Sequence, residues 1–140
     1  MFRKILVAYD GSEGSQRALL AGIGLARATG ATLVSLSVRQ HLPYLATTVD
    51  EVDEAREQIE QFFSRITSQA RTAAKEQGVN LEALVRPGHE VETTVTFARE
   101  GGFDLLVVGF TGHSNVFGRI MGGTAQNLVR LAPCPVLVVK

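Results

Sequence analysis

The chain has 140 residues, 45% of them hydrophobic and 20% charged, with fourteen basic and fourteen acidic side chains and a formal net charge of zero. That is the composition of one ordinary globular domain, residues 1–140, which buries roughly 70% of the surface of its unfolded chain and needs no disulfide or structural metal to fold. The balanced charge argues against nucleic acid or an anionic membrane as main partner, since both select basic patches, and no segment is apolar for long enough to cross a bilayer.

Met1-Phe2-Arg3-Lys4 leads directly into an apolar run from Ile5 to Tyr9. The opening is too short for a signal peptide, so the cytoplasm is the expected address. Similar runs follow at Thr32 to Val38, Leu105 to Gly109 and Val136 to Val139. Short β-branched runs that are apolar at nearly every position predict strands covered on both faces. Leu81 to Arg86 mixes polar with apolar residues and fits an edge strand.

Helical patterns lie between the runs. The first starts at Ser12, an expected N-cap, with Glu13 in its first turn, and stops at Gly30. Gly14, Gly22 and Gly24 are costly inside a helix, and close packing on the sheet is the use expected of them. Arg39 to Thr48 lacks periodicity and contains Pro43, which predicts a surface loop. The second helix carries Val52, Ala55, Ile59, Phe62, Ile66, Ala70 and Ala73 every three or four residues and ends at Gly78. A third runs from Glu90 to Glu100 with Val91, Val95 and Ala98 inward, and a fourth from about Gly122 to Leu131. The alternation predicts an α/β fold with a parallel sheet, right-handed crossovers and helices on both faces. Ligands of such sheets bind outside the carboxyl ends of the strands, where the strand order reverses.

Two segments belong at that edge. Ala8-Tyr9-Asp10-Gly11-Ser12 ends the first strand, and Val108-Gly109-Phe110-Thr111-Gly112-His113-Ser114 ends the fourth. Gly109 and Gly112 allow close backbone approach to a ligand. Gly122, Gly123 and Thr124 fall where a helix begins, and its unpaired N–H groups favour an anion such as a phosphate. Asp10 either caps the turn or first helix, or meets a ligand, or both. Cys134, the single cysteine, reads as a small buried hydrophobe. His113 reads as solvated, His89 as a possible cap of the third helix, and neither His41 nor His89 has a partner at metal-ligand spacing.

The set Gly109-Phe110-Thr111-Gly112, nine residues, then Gly122 resembles the glycine pattern of nucleotide-binding universal stress proteins. The opening Lys4-Ile5-Leu6-Val7-Ala8-Tyr9-Asp10-Gly11-Ser12 is similar to their first strand and turn. Gly123 to Arg130 and Pro133 to Val139 resemble their last helix and strand, so the likeness covers the whole chain. The resemblance implies a Rossmann-like five-stranded sheet of order 3-2-1-4-5 and an adenine nucleotide, ATP with or without Mg, as ligand. It implies that Asp10, with Tyr9 beside it, lies by the nucleoside and that the backbone of Ala8 and Val38 lines the adenine pocket. Val108, Gly109, Thr111, Gly112, Gly122, Gly123, Thr124 and Ala125 would surround ribose and phosphates. The family has Ser or Thr where this chain has Gly123. The missing hydroxyl removes a bond to a charged group, and affinity is expected to be roughly tenfold to a hundredfold lower for it.

The expected role is a sensor or regulator in a stress response, in which occupancy stabilises one arrangement of the Arg39–Thr48 and Phe110–Ile120 segments for an unnamed protein partner to read. Two alternatives stay open: a nucleotide-free protein acting through protein contacts, and slow hydrolysis or self-phosphorylation at Ser114 or Thr124. The lack of a Gly-Lys-Ser/Thr motif argues against a P-loop ATPase. The Ser-Gly-Gly-x-Asp-Ser turn of ATP pyrophosphatases is also missing, a receiver domain would need an Asp after the third strand where this chain has Arg86-Pro87-Gly88, and a dinucleotide fold would carry its glycines after the first strand. With the family's strand order, Val136–Val139 becomes an apolar sheet edge, which predicts a two-fold dimer through it.

Overall fold

Apolar strands that must hide both faces need helices above and below them, and the chain supplies both. The computed structural model describes residues 1–40, 48–111 and 121–140. Gly112, His113 and Ser114, the body of the expected surface loop and most of the 110–120 segment lie outside the described residues. Among the described residues the elements run β1 (Lys4–Ala8), α1 (Glu13–Thr29), β2 (Thr32–Arg39), α2 (Val49–Glu76), β3 (Leu81–Pro87), α3 (Glu90–Glu100), β4 (Leu105–Gly109), α4 (Gly123–Leu131) and β5 (Val136–Val139). The strands form one parallel sheet in the order β3-β2-β1-β4-β5. This is the α/β architecture that the sequence predicts, with the mixed run β3 at an edge.

The two faces have separate cores. Ile5, Val7, Leu33, Leu105 and Val107 pack with Ala18, Leu19, Ile23 and Ala26 of α1 and Ile66, Ala70 and Ala74 of α2. Leu6, Val34, Leu36, Leu106 and Val108 pack with Val91, Val95 and Ala98 of α3 and Ala125 and Leu128 of α4. Each large side chain hidden this way contributes roughly 1.5–3 kcal/mol. Alternation along β2 puts Ser35 and Ser37 on the α1/α2 face, where both are 1% exposed. Their hydroxyl oxygens have no hydrogen-bond partner among the described residues.

The helix signals are read as expected at most ends. Ser12 caps α1 by accepting from the Ser15 N–H at 3.2 Å, and Gly30 ends it in the left-handed region at φ 73°. His89 stands at the N-cap of α3 but makes no side-chain cap bond. The expected loop is shorter than its stated bounds, since Arg39 belongs to β2 and Thr48 caps α2 by accepting from the Glu51 N–H. Helix α2 has 28 residues and so runs about 42 Å, against about 23 Å for β3. Only Ile66, Thr67, Ala70 and Ala74 of α2 are therefore buried, and Val52, Ala55, Ile59 and Phe62 are covered in part. Cys134 is likewise half-buried against the α3/α4 core, because β5 is an edge strand. Burial and the nearby Asp104 charge push its thiol pKa up.

The amino ends of β1 and β4 are tied by Asp104, whose carboxylate accepts from the N–H groups of Arg3 at 2.8 Å and Lys4 at 3.0 Å. Those two bonds hold the Asp104 carboxyl below its usual range. Lys4 Nζ donates to the Gly101 carbonyl at 2.6 Å and lies over the Phe103 ring.

The glycines of α1 do not share one role. A Cβ on Gly22 would lie 2.6 Å from Cγ2 of Val7, whereas one on Gly24 would meet nothing within 4 Å. Gly22→Ala is expected to destabilise the protein by about 1–3 kcal/mol through overpacking. Gly24→Ala is expected to stabilise it by about 0.5–1 kcal/mol through helix propensity. Urea denaturation of both variants checks the pair, and equal shifts of the same sign would contradict the packing.

Candidate functional site

The strand order reverses between β1 and β4. After β1 the chain turns into α1 on one face, and α4 begins on the other face after the segment that follows β4. The carboxyl edge is therefore a fork, walled by the first turns of two helices.

On the α1 side the wall is made of backbone. A Cβ on Gly14 would collide with the Thr111 carbonyl oxygen, and a Cβ on Gly109 would lie 2.6 Å from the carbonyl carbon and oxygen of Gly14. Both glycines are thus required for α1 to seat against the end of β4. The space left by the missing side chain of Gly109 is filled by α1 rather than left open to a ligand. Thr111 is buried at 8% exposure in the same junction.

The turn between β1 and α1 is closed by its own side chains. Asp10 Oδ1 accepts from the Ser12 N–H at 2.9 Å, and the Asp10 N–H donates to Ser15 Oγ at 3.3 Å. Ser15 Oγ donates in turn to the Ser12 carbonyl at 3.0 Å. Gly11 completes the turn at φ +82°, with no room for a Cβ beside Ile66. Asp10 thus fulfils the turn-capping reading, since it braces the turn while Ser12 caps the helix. Tyr9 extends the ladder through its N–H to the Leu36 carbonyl at 3.0 Å. Its side chain is in the α1/α2 core at 3% exposure, so only its backbone reaches the edge. Burial, and then the Asp10 charge, raises the Tyr9 pKa.

The α4 side is different. Ala8, Val38 and Met121 are partly buried against the core that contains Val108 and Ala125, so these residues give the fork one apolar flank. Gly122 is the N-cap of α4, and no side chain caps the helix. Its own N–H is occupied, donating to the Phe110 carbonyl at 2.9 Å, while its carbonyl accepts from the Gln126 N–H at 3.0 Å. That leaves the N–H groups of Gly123, Thr124 and Ala125 in the first turn without an acceptor among the described residues. A Cβ on Gly123 would meet nothing within 4 Å. The expected set of donors is thus shifted by one residue, from 122–124 to 123–125.

A carboxylate that no sequence motif places here completes the edge. Glu90, the first residue of α3, has Oε2 3.4 Å from the Thr124 hydroxyl and 3.2 Å from Gln40 Nε2. It joins the end of β2 to the starts of α3 and α4. The pairing spans 34 residues of sequence and depends on how α3 packs beside α4, so no local motif announces it. Among the described residues no group of three or more His, Cys, Asp or Glu side chains converges to hold a metal. No helix among them is long and apolar enough to cross a membrane.

The arrangement offers an apolar slot, a braced acidic turn and a helix N-terminus whose first donors meet no acceptor among the described residues. Such a set can hold a flat apolar ring system carrying an anion. A family model described as the universal stress protein family matches residues 1–140. Universal stress protein YxiE of Bacillus subtilis is 31% identical over the whole of both chains. The universal stress protein UspA from Lactobacillus plantarum superposes with a TM-score of 0.87 at 25% identity, over 99% of this chain and 98% of its own. A universal stress protein solved in complex with cAMP superposes with a TM-score of 0.76 at 27% identity, over 99% and 97% of the two chains.

Proposed function

The chain belongs to the universal stress protein family, and on that premise we propose that it binds an adenine nucleotide at the fork between β1 and β4 and acts as a sensor or regulator in a stress response. The observation that carries this reading is the trio of N–H donors at Gly123, Thr124 and Ala125, set beside an apolar flank of Ala8, Val38 and Val108. The relative solved with cAMP, itself an adenine nucleotide, supports the same ligand class.

In this reading the backbone of Ala8, Tyr9 and Val38 borders the base, and Asp10 stands by the nucleoside. Val108, Gly109, Thr111, Gly112, Gly122, Gly123, Thr124 and Ala125 surround ribose and phosphates. Gly109 and Gly122 act through position, the first by seating α1 and the second by capping α4. The ligand in view is ATP, with Mg as the counter-ion of its polyphosphate. The role is binding without efficient turnover, in the cytoplasm, with the bound state read by another protein. The apolar strand β5 lies at a sheet edge with Leu137 38% exposed, which favours a homodimer through this strand. A monomer mass by light scattering at micromolar concentration would count against that assembly.

Calorimetric titration with ATP, ADP and AMP tests the binding itself. Saturable binding of at least one is expected, together with nucleotide released from the purified protein on denaturation. No heat with any of the three and no released nucleotide would contradict the reading. Because a Cβ on Gly123 meets nothing within 4 Å among the described residues and its φ is not positive, Gly123→Ser is expected to fit without strain. It is expected to raise affinity for the phosphorylated ligand roughly tenfold to a hundredfold by restoring a bond to a charged group.

A further inference from the structure

We propose that Glu90 sets how much negative charge the nucleotide site accepts, disfavouring bare polyphosphates relative to adenosine and adenine monophosphates. The inference rests on the nucleotide reading above and concerns the same site. It starts from one hydroxyl. Thr124 Oγ1 has a single hydrogen, and in this structure it is directed to Glu90 Oε2 at 3.4 Å. The same carboxylate oxygen accepts from Gln40 Nε2 at 3.2 Å. Both contacts hold the acid at the mouth of α4, within reach of the donors that would receive a phosphate.

A phosphate oxygen taking the Thr124 hydroxyl would sit about 2.7 Å from Oγ1. Its distance from Glu90 Oε2 is then at most about 6 Å, the sum of that length and the 3.4 Å observed. The two acceptors compete for one proton, and their charges repel at a distance where solvent screening is incomplete. Across the range from bulk water to a partly buried pair, one such unit-charge repulsion corresponds to about threefold to a hundredfold in affinity. The cost grows with the charge placed near Thr124. It is absent for adenosine, moderate for AMP and largest for ATP without a cation. A divalent cation bound to the polyphosphate reduces the net charge and narrows the gap.

Glu90→Gln keeps the size of the side chain and an oxygen able to accept from Thr124, so the packing of α3 against α4 is retained. Glu92, exposed in the same first turn of α3, supplies the control that removes the same formal charge elsewhere. Calorimetric titrations of wild type, Glu90→Gln and Glu92→Gln use adenosine, AMP, ATP with EDTA, and ATP with Mg²⁺. Glu90→Gln is expected to tighten ATP with EDTA about tenfold, AMP less, and adenosine not at all. The gain for ATP with Mg²⁺ is expected to be smaller than for ATP with EDTA, and Glu92→Gln to stay within about twofold of wild type throughout.

Equal changes for adenosine and ATP would overturn the proposal, as would identical effects of the two variants. Weaker binding of ATP with Mg²⁺ by Glu90→Gln alone would make Glu90 a cation ligand and overturn it also. In each of these cases nucleotide still binds, and the reading of the site stands. Failure of every ligand to bind any of the three proteins removes that reading and the proposal with it.

Discussion

The carboxyl edge of this protein depends on a contact between two stretches of backbone. Gly109 at the end of β4 and Gly14 in the first turn of α1 each lack the Cβ that would strike the other's neighbourhood, and the Thr111 carbonyl fills the space over Gly14. Only at that separation can α1 lie close enough to β4 for its apolar face to meet Leu105 and Val107. The same contact fixes where the turn from Asp10 to Ser15 stands, because that turn leads directly into Gly14 and Ser15. A side chain at either glycine would move a whole helix terminus and not merely a rotamer, since rigid backbone is on both sides.

With one wall of the fork fixed in this way, the other wall governs the chemistry. Helix α4 starts without a side-chain cap, and the Gly122 N–H is already bonded to the Phe110 carbonyl. The donors that remain belong to Gly123, Thr124 and Ala125. In the same first turn the Thr124 hydroxyl donates to the carboxylate of Glu90, which the α3–α4 packing brings there. The edge therefore carries an attractive and a repulsive element for anions side by side. In the proposed reading, the balance between the two elements governs which anion suits the edge.

Much of the architecture is legible in the sequence because each signal is local. Ile5 to Tyr9 and Leu105 to Gly109 are apolar throughout, which follows from burial on both faces, and Ser12 and Gly30 mark α1 through capping chemistry alone. The strand order came from resemblance, since nothing in a single strand states its neighbour. What escaped is what depends on distance in space. Gly22 and Gly24 look alike in the sequence, yet only Gly22 faces the sheet. Gly109 reads as room for a ligand, whereas α1 fills that room. Tyr9 lies in a site segment by position, but strand alternation turns its ring into the core. Helix α2 shows one apolar stripe over its whole length, although the sheet beneath covers only its second half. Glu90 carries no motif at all, and its role emerges only once α3 and α4 are placed together.

The central claim is that a nucleotide occupies the fork with its phosphate at the start of α4. Backbone amide NMR of the labelled protein during titration with AMP tests it most directly. The account predicts saturable shifts at the amides of Gly123, Thr124 and Ala125, with accompanying shifts at Ala8, Asp10 and Val38. It also predicts unchanged signals at the amino end of the sheet around Lys4 and Asp104. Silence at the first group, or shifts concentrated on the outer face of α2 or along β5, would contradict it.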